Sequence, residues 1–201
     1  MLNSVLVANR GEIARRIIAT ARRLGIRAVV VYSEADADLP FVAEADEAVP
    51  IGPPPPGQSY LDSAAVLAAA RQTGAAAIHP GYGFLAENPA FAREVLAEGL
   101  IWVGPPPDAI AQMGDKINAR NLMAAAGVPV SAGSAEPVTS AAAAAAEAAR
   151  IGYPVMVKAA AGGGGIGMSA VSDPAGLAAA FETARTRAER CLLYTSDAAD
   201  E

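Results

Sequence analysis

Ala28-Val29-Val30-Val31-Tyr32 is continuously apolar and β-branched at its centre, the pattern of a parallel strand covered on both faces. No other stretch constrains the fold as strongly. Upstream, the apolar run Val5 to Ala8 is followed by Asn9-Arg10-Gly11, then by Ile13, Ile17, Ala21 and Leu24 at helical spacing, with Gly25 placed to close the helix. Strand, turn, helix and strand in this order make a βαβ unit. Weaker strand patterns at Ala48 to Ile51, Ala76 to Ile78 and Ile101 to Val103 alternate with helical patterns at Tyr60 to Thr73 and Pro89 to Glu98. The expected architecture is therefore α/β, an open and mostly parallel sheet. Pro53 to Pro56 and Pro105 to Pro107 cannot continue a helix or a sheet and read as turns.

The character changes near Gly114, where a domain boundary is expected. Asp115 is placed as the N-cap of a helix running through Ile117, Leu122 and Met123 to Gly127, and Pro129 enforces its stop. Ser140 opens a second helix, which ends at Gly152 and contains six consecutive alanines, the residue of best intrinsic helix propensity. Tyr153 to Lys158 reads as a strand, Gly162 to Gly167 as a loop and Met168 to Val171 as another strand. Pro174 starts a final helix through Leu177, Phe181 and Ala184.

Composition excludes several classes. A net charge of −6 argues against a general polyanion binder such as a nucleic-acid protein. Of the 53% hydrophobic residues a large share is alanine, about 50 of 201, and no apolar run reaches the roughly 18 residues of a membrane span. Residues 1–12 lack the basic and long apolar regions of a secretory signal, and the single cysteine, Cys191, has no internal disulfide partner. A cytoplasmic protein is expected.

The segment 161–167, Ala-Gly-Gly-Gly-Gly-Ile-Gly, admits three candidate phosphate-binding templates. A Walker A loop fails, because Met168 and Ser169 stand where lysine and a hydroxyl belong. Gly162, Gly164 and Gly167 satisfy the dinucleotide fingerprint formally, but a strand instead of a helix follows the loop. A glycine flap between two strands remains, with Lys158 ending the first strand. In a nucleotide site the flap closes over the triphosphate while the ammonium reaches phosphate oxygens. The alternative is a glycine-rich hairpin with a surface lysine. Lys116 stands in the first turn of its helix, against the macrodipole, where it either meets an anion or is simply solvated. Of the 15 basic residues only these two are lysine.

Four motifs share one further property. Val7-Ala8-Asn9-Arg10-Gly11-Glu12-Ile13-Ala14, the run Ala77 to Asn88 (AIHPGYGFLAEN), Met113-Gly114-Asp115-Lys116, and Gly152 to Lys158 (GYPVMVK) with the flap stand in the order and spacing of biotin carboxylases. The resemblance covers about residues 2 to 189. It implies a Rossmann-like N-terminal domain over 1–114 followed by the start of an ATP-grasp fold over 115–189. It also implies a two-stage reaction in which ATP phosphorylates bicarbonate to carboxyphosphate and the carboxyl group moves to biotin on a carrier protein. Lys116, Lys158, Gly164, Gly165 and Met168 would then contact ATP, and the loop holding Tyr82 and Gly83 would approach the biotin ring. From the residues alone, that loop is equally a glycine-flanked turn with a packed tyrosine. The only histidine, His79, has no nucleophile or carboxylate motif around it and reads as structural.

The resemblance further implies a biotin carboxyl carrier protein and a carboxyltransferase as partners, and a homodimer in the full-length form. Two departures stand out. Ile166 occupies a flap position that is often basic in relatives. An ATP-grasp fold also continues past the flap to supply the second adenine-binding strand, the Mg²⁺ ligands and the bicarbonate and biotin residues. The expectation is an N-terminal fragment, inactive alone, with no catalytic residue or metal ligand of its own. Residues 190–201 do not resemble the family and read as a non-native tail, similar to a translated sequencing adapter. Another ATP-grasp ligase such as carbamoyl-phosphate synthase, and a nucleotide-binding module without turnover, are the alternatives.

Overall fold

In a computed structural model, which describes residues 2–158 and 168–186, the apolar runs of the first half form five parallel strands. These are β1 (Ser4–Val7), β2 (Arg27–Tyr32), β3 (Glu47–Pro50), β4 (Ala77–His79) and β5 (Ile101–Trp102), in the sheet order β3-β2-β1-β4-β5. Val5 pairs with Ala28, Leu6 with both Val29 and Ile78, and Val30 with Ala48. The helices are α1 (Gly11–Arg23), α2 (Pro40–Glu44), α3 (Ser63–Thr73), α4 (Pro89–Ala97) and α5 (Pro107–Gly114).

Strand alternation sends successive side chains to opposite faces, and both faces are covered. Val5, Val7, Ala28, Val30 and Ala77 pack with Ile13, Ala14, Ile17 and Ile18 of α1 and Phe41 of α2. Leu6, Val29, Val31 and Ile78 pack with Val66 and Leu67 of α3 and Phe91 and Val95 of α4. Val29, Val30 and Val31 are each 0% exposed. Burying each of these stabilises the unit by roughly 1.5–3 kcal/mol, and a charge at any of them would open the sheet. The two-sided burial explains why β2 shows no polar alternation.

Two local expectations are corrected. Pro107 does not merely end a turn: it opens α5. A proline at the first helical position forfeits no hydrogen bond and has its φ already set. The helix expected from Tyr60 begins at Ser63, because Asp62 accepts from the Ala65 N–H and fixes the start there, leaving Tyr60 in the preceding turn. Gly25, with φ +68°, follows the α1 cap residue Leu24.

Met1–Gly114 and Asp115–Glu201 are separate units. In the second, Asp115 caps α6 (Lys116–Ala125) by accepting from the Ile117 and Asn118 N–H groups, and Ser140 caps α7 (Ala141–Ile151) through the Ala143 N–H. The chain then enters β6 (Val155–Lys158), which pairs antiparallel with β7 (Met168–Val171), and a helix α8 follows over 177–186. Val155 and Val157 pack against a small core of Ala144, Ala148, Val171 and Leu177. Among the described residues no helix is long and apolar enough to cross a membrane. The flap Gly162 to Gly167, with Gly164, Gly165 and Ile166, lies outside the described residues, as do Cys191 and the segment 190–201.

Candidate functional site

The chain runs outward from β1 to β2 and β3, then returns to β4 on the other side of β1. The carboxyl ends of β1 and β4 therefore flank the switch point of the sheet, where open α/β sheets form a crevice. Asn9 follows β1 there and is only 3% exposed. Its Nδ2 donates to the carbonyls of Pro80 (2.7 Å) and Tyr82 (2.8 Å), and its Oδ1 accepts from the Arg10 N–H at 2.9 Å. All three bonds depend on one orientation of the amide, since a flipped amide would turn its oxygen toward two carbonyls.

The loop after β4 is held in a conformation that few residues adopt. Gly81 has φ +68°, and a Cβ there would lie 2.7 Å from Asn9 Nδ2. Gly83 combines φ +66° with ψ −163°, a region open essentially to glycine alone. Phe84 follows at φ +43°. The Tyr82 side chain is 63% exposed, with its hydroxyl 3.4 Å from Glu12 Oε2. His79 accepts from the Gly81 N–H at Nδ1, so the neutral ring carries its proton on Nε2. Burial, reinforced by the nearby Arg16 charge, pushes its pKa down. The histidine thus serves its own loop, as a structural reading expects.

A second cluster stands beside this loop. Phe84 stacks on Tyr60 with centroids 5.1 Å apart, and the Arg10 guanidinium lies 5.5 Å from the Tyr60 centroid and 5.6 Å from that of Phe84. Both distances fall within cation–π range. Asp36 Oδ2 accepts from Tyr60 Oη (2.7 Å), Ser33 Oγ (2.9 Å) and Arg10 Nη1 (3.3 Å). Burial alone would raise the Asp36 carboxyl, but the bonds from Tyr60, Ser33 and Arg10 outweigh it and hold the pKa below the ordinary value. Tyr60 is pushed well above the usual phenol range, first by burial and then by the Asp36 carboxylate.

In the second unit, Lys158 and Met168 are Cα partners across the β6/β7 ladder. Directly opposite residues share a face, and both lie on the exposed one with Met156 and Ala170. The two ends of the described hairpin thus bring a cation and a polarisable apolar side chain together. Lys116 is the first residue of α6. Among the described residues no group of three His, Cys, Asp or Glu side chains comes together to hold a metal ion.

Asn9, Asp36 and Tyr60 are not among the site residues that the motifs point to. Asn9 had a usable signal, a carboxamide directly after a buried strand and before a turn. Asp36 and Tyr60 had none, because their bond spans 24 positions.

Known proteins agree with this architecture. Residues 1–110 match the family described as biotin carboxylase, N-terminal domain, and residues 115–196 the family described as carbamoyl-phosphate synthase L chain, ATP binding domain. The chain is 51% identical to biotin carboxylase 2 of Bacillus subtilis (strain 168) over 188 residues, 94% of this chain and 42% of that protein. It superposes on the crystal structure of a biotin carboxylase–β,γ-ATP complex from Campylobacter jejuni with a TM-score of 0.91 at 43% identity, covering 95% of this chain and 43% of that one. The biotin carboxylase domain dimer of Hydrogenobacter thermophilus 2-oxoglutarate carboxylase, in complex with MgADP, ADP and bicarbonate, gives 0.89 at 43% identity, covering 94% and 42%. The chain thus spans less than half the length of each of these three. With one such match covering residues 1–110 of 201, and the parallel sheet, hairpin and motifs in register, the chain belongs to the biotin carboxylase family.

Proposed function

We propose that this chain is the N-terminal part of an ATP-dependent biotin carboxylase, a carbon–nitrogen ligase. Residues 1–114 are its Rossmann-like domain, residues 115–189 the beginning of its ATP-grasp domain, and residues 190–201 a non-native tail. The ATP-binding match, 115–196, overlaps the first seven residues of that tail. In the reaction, ATP phosphorylates bicarbonate to carboxyphosphate. The carboxyl group then moves to the ureido nitrogen of biotin on a carrier protein, with release of phosphate. A carboxyltransferase takes the carboxyl group onward, and the full-length form works as a cytoplasmic homodimer.

The observation that carries this reading is the pairing of Lys158 with Met168 on the exposed face of a hairpin whose ends bracket the glycine flap, inside a segment matching an ATP-binding domain. Phosphoryl transfer asks of a protein mainly positioning and charge neutralisation. Lys158 and Lys116 supply compact positive charge to the phosphates, Gly164 and Gly165 supply backbone N–H groups, and Met168 lies against the base. Tyr82 and Gly83 take the biotin ring in the crevice of the first unit. The protein ligands of Mg²⁺ are expected beyond this segment, since the described residues bring no group of three His, Cys, Asp or Glu side chains together.

The test is Lys158→Ala in the full-length enzyme. Losing a phosphate-facing ammonium raises KM for ATP by at least about tenfold, and Lys158→Arg does not restore it, because a planar fork does not replace a point charge. Unchanged ATP kinetics would sink the assignment. The match over 115–196 favours a second reading, a carbamoyl-phosphate synthase. Biotin-stimulated ADP formation supports the carboxylase, and ammonia-stimulated formation of carbamoyl phosphate the alternative.

A further inference from the structure

We infer that Asn9 is the positioning residue of the Tyr82–Gly83 loop: its carboxamide fixes the backbone that presents these two residues to the biotin ring. The inference rests on the reading of this loop as the biotin contact.

The loop carries positive φ at Gly81 (+68°), Gly83 (+66°) and Phe84 (+43°). Backbone of this kind persists only where surrounding structure over-determines it. Phe84 is held at one end by the Tyr60 stack and Arg10. At the other end the work falls to Asn9. The remaining backbone hydrogen bonds of residues 80–83 stay within the 79–88 segment, Gly81 N–H to His79 Nδ1 and Ala86 N–H to the Gly83 carbonyl. Among the described residues, the one side-chain bond that leaves it is the long, exposed donation from Tyr82 Oη to Glu12 Oε2 at 3.4 Å. The two donations from Asn9 Nδ2, to Pro80 and Tyr82, are what tie the loop to the end of β1. Their acceptors stand either side of Gly81, whose Cβ, were there one, would sit 2.7 Å from the same nitrogen. Asn9 and Gly81 therefore fit as a pair, and a side chain at 81 would push the amide off its carbonyls.

Position 9 needs a donor of this reach. Aspartate has the same shape but no N–H, and would set a carboxylate against two carbonyl oxygens. The Arg10 N–H bond to Oδ1 would survive that change, so Asn9→Asp removes donation to the loop while keeping packing.

Steady-state kinetics of the full-length enzyme test this with Asn9→Asp, Asn9→Ala, Gly81→Ala and Tyr82→Ala. The expected result is that both Asn9 variants and Gly81→Ala raise KM for biotin by about tenfold, near the upper end of what one lost hydrogen bond is worth, while KM for ATP changes by less than about twofold. Should buried charge keep Asn9→Asp from folding, Gly81→Ala probes the same contact from the loop side. A raised biotin KM in Tyr82→Ala together with an unchanged one in the Asn9 and Gly81 variants overturns the positioning role. Equal rises in both KM values also overturn it, since they mark general loss of structure. An unchanged biotin KM in Tyr82→Ala instead refutes the biotin reading of the loop, and the inference goes with it.

Discussion

Replacing Tyr60 by phenylalanine removes one oxygen atom and two hydrogen bonds while leaving the ring in place. Tyr60 is 1% exposed, and its hydroxyl donates to Asp36 Oδ2 at 2.7 Å and accepts from the Ser33 N–H at 3.1 Å. Because Ser33 is 0% exposed, its N–H would be left buried without a partner, at a cost of roughly 1–3 kcal/mol. The bond to a carboxylate adds about 1.5 kcal/mol, the low end for a charged acceptor, since Asp36 keeps Ser33 Oγ and Arg10. The Phe84 stack is retained, so no cavity term enters. The sum is roughly 2.5–4.5 kcal/mol, or about 10–19 °C in Tm for a unit of this size. Urea denaturation measures it, with an unchanged m-value expected.

Acid sharpens the test. The Asp36 pKa is held below its unfolded value, so the carboxylate stabilises the fold above that value, and the contribution is lost as pH falls through the folded pKa. Tyr60 supplies the foremost of the hydrogen bonds that lower it. In Tyr60→Phe the carboxyl rises, acid unfolding begins at higher pH, and the difference between the two proteins narrows below about pH 4. A loss under about 0.5 kcal/mol, or a loss constant from pH 7 to pH 3, would refute the account of the cluster.

Two further predictions concern packing and capping. Phe91, 1% exposed and edge-on to Trp102 at 5.7 Å, should cost roughly 3–5 kcal/mol on change to alanine, read as a lower urea midpoint for the first unit. Asp115→Ala removes the acceptor for the Ile117 and Asn118 N–H groups and should cost about 1 kcal/mol, seen as faster amide exchange confined to the first turn of α6.

What was legible in the sequence was what local chemistry decides. The β2 run announced a doubly covered strand because its central side chains are apolar at both parities, and Asp115 and Ser140 announced helix starts because each cap reaches only two or three residues ahead. Lys158 and Met168 were readable as the last and first residues of two strands, and antiparallel pairing then puts them opposite each other. Pro107 misled because proline breaks a helix interior yet suits its first position. The polar cluster was invisible for a different reason. Arg10, Asp36 and Tyr60 meet only once the sheet brings the ends of β1 and β2 together, and no spacing rule links positions 26 or 24 apart.

The two units meet different demands. In the first, a sheet packed on both faces carries a loop with three left-handed residues, clamped by Asn9 and by the Arg10, Tyr60 and Phe84 cluster. If the loop takes the biotin ring as proposed, such constraint favours affinity, which depends on groups already in place. In the second, the described core is Ala144, Ala148, Val171 and Leu177 with partly buried neighbours, and α6 buries no residue fully. On the proposed reading of this unit as the start of a nucleotide site, the residue type of its two cations matters: both lysines stand there, Lys116 on the first turn of α6 and Lys158 on the exposed face of β6. A flexible stem carrying a compact charge follows a moving phosphate more readily than a planar guanidinium does.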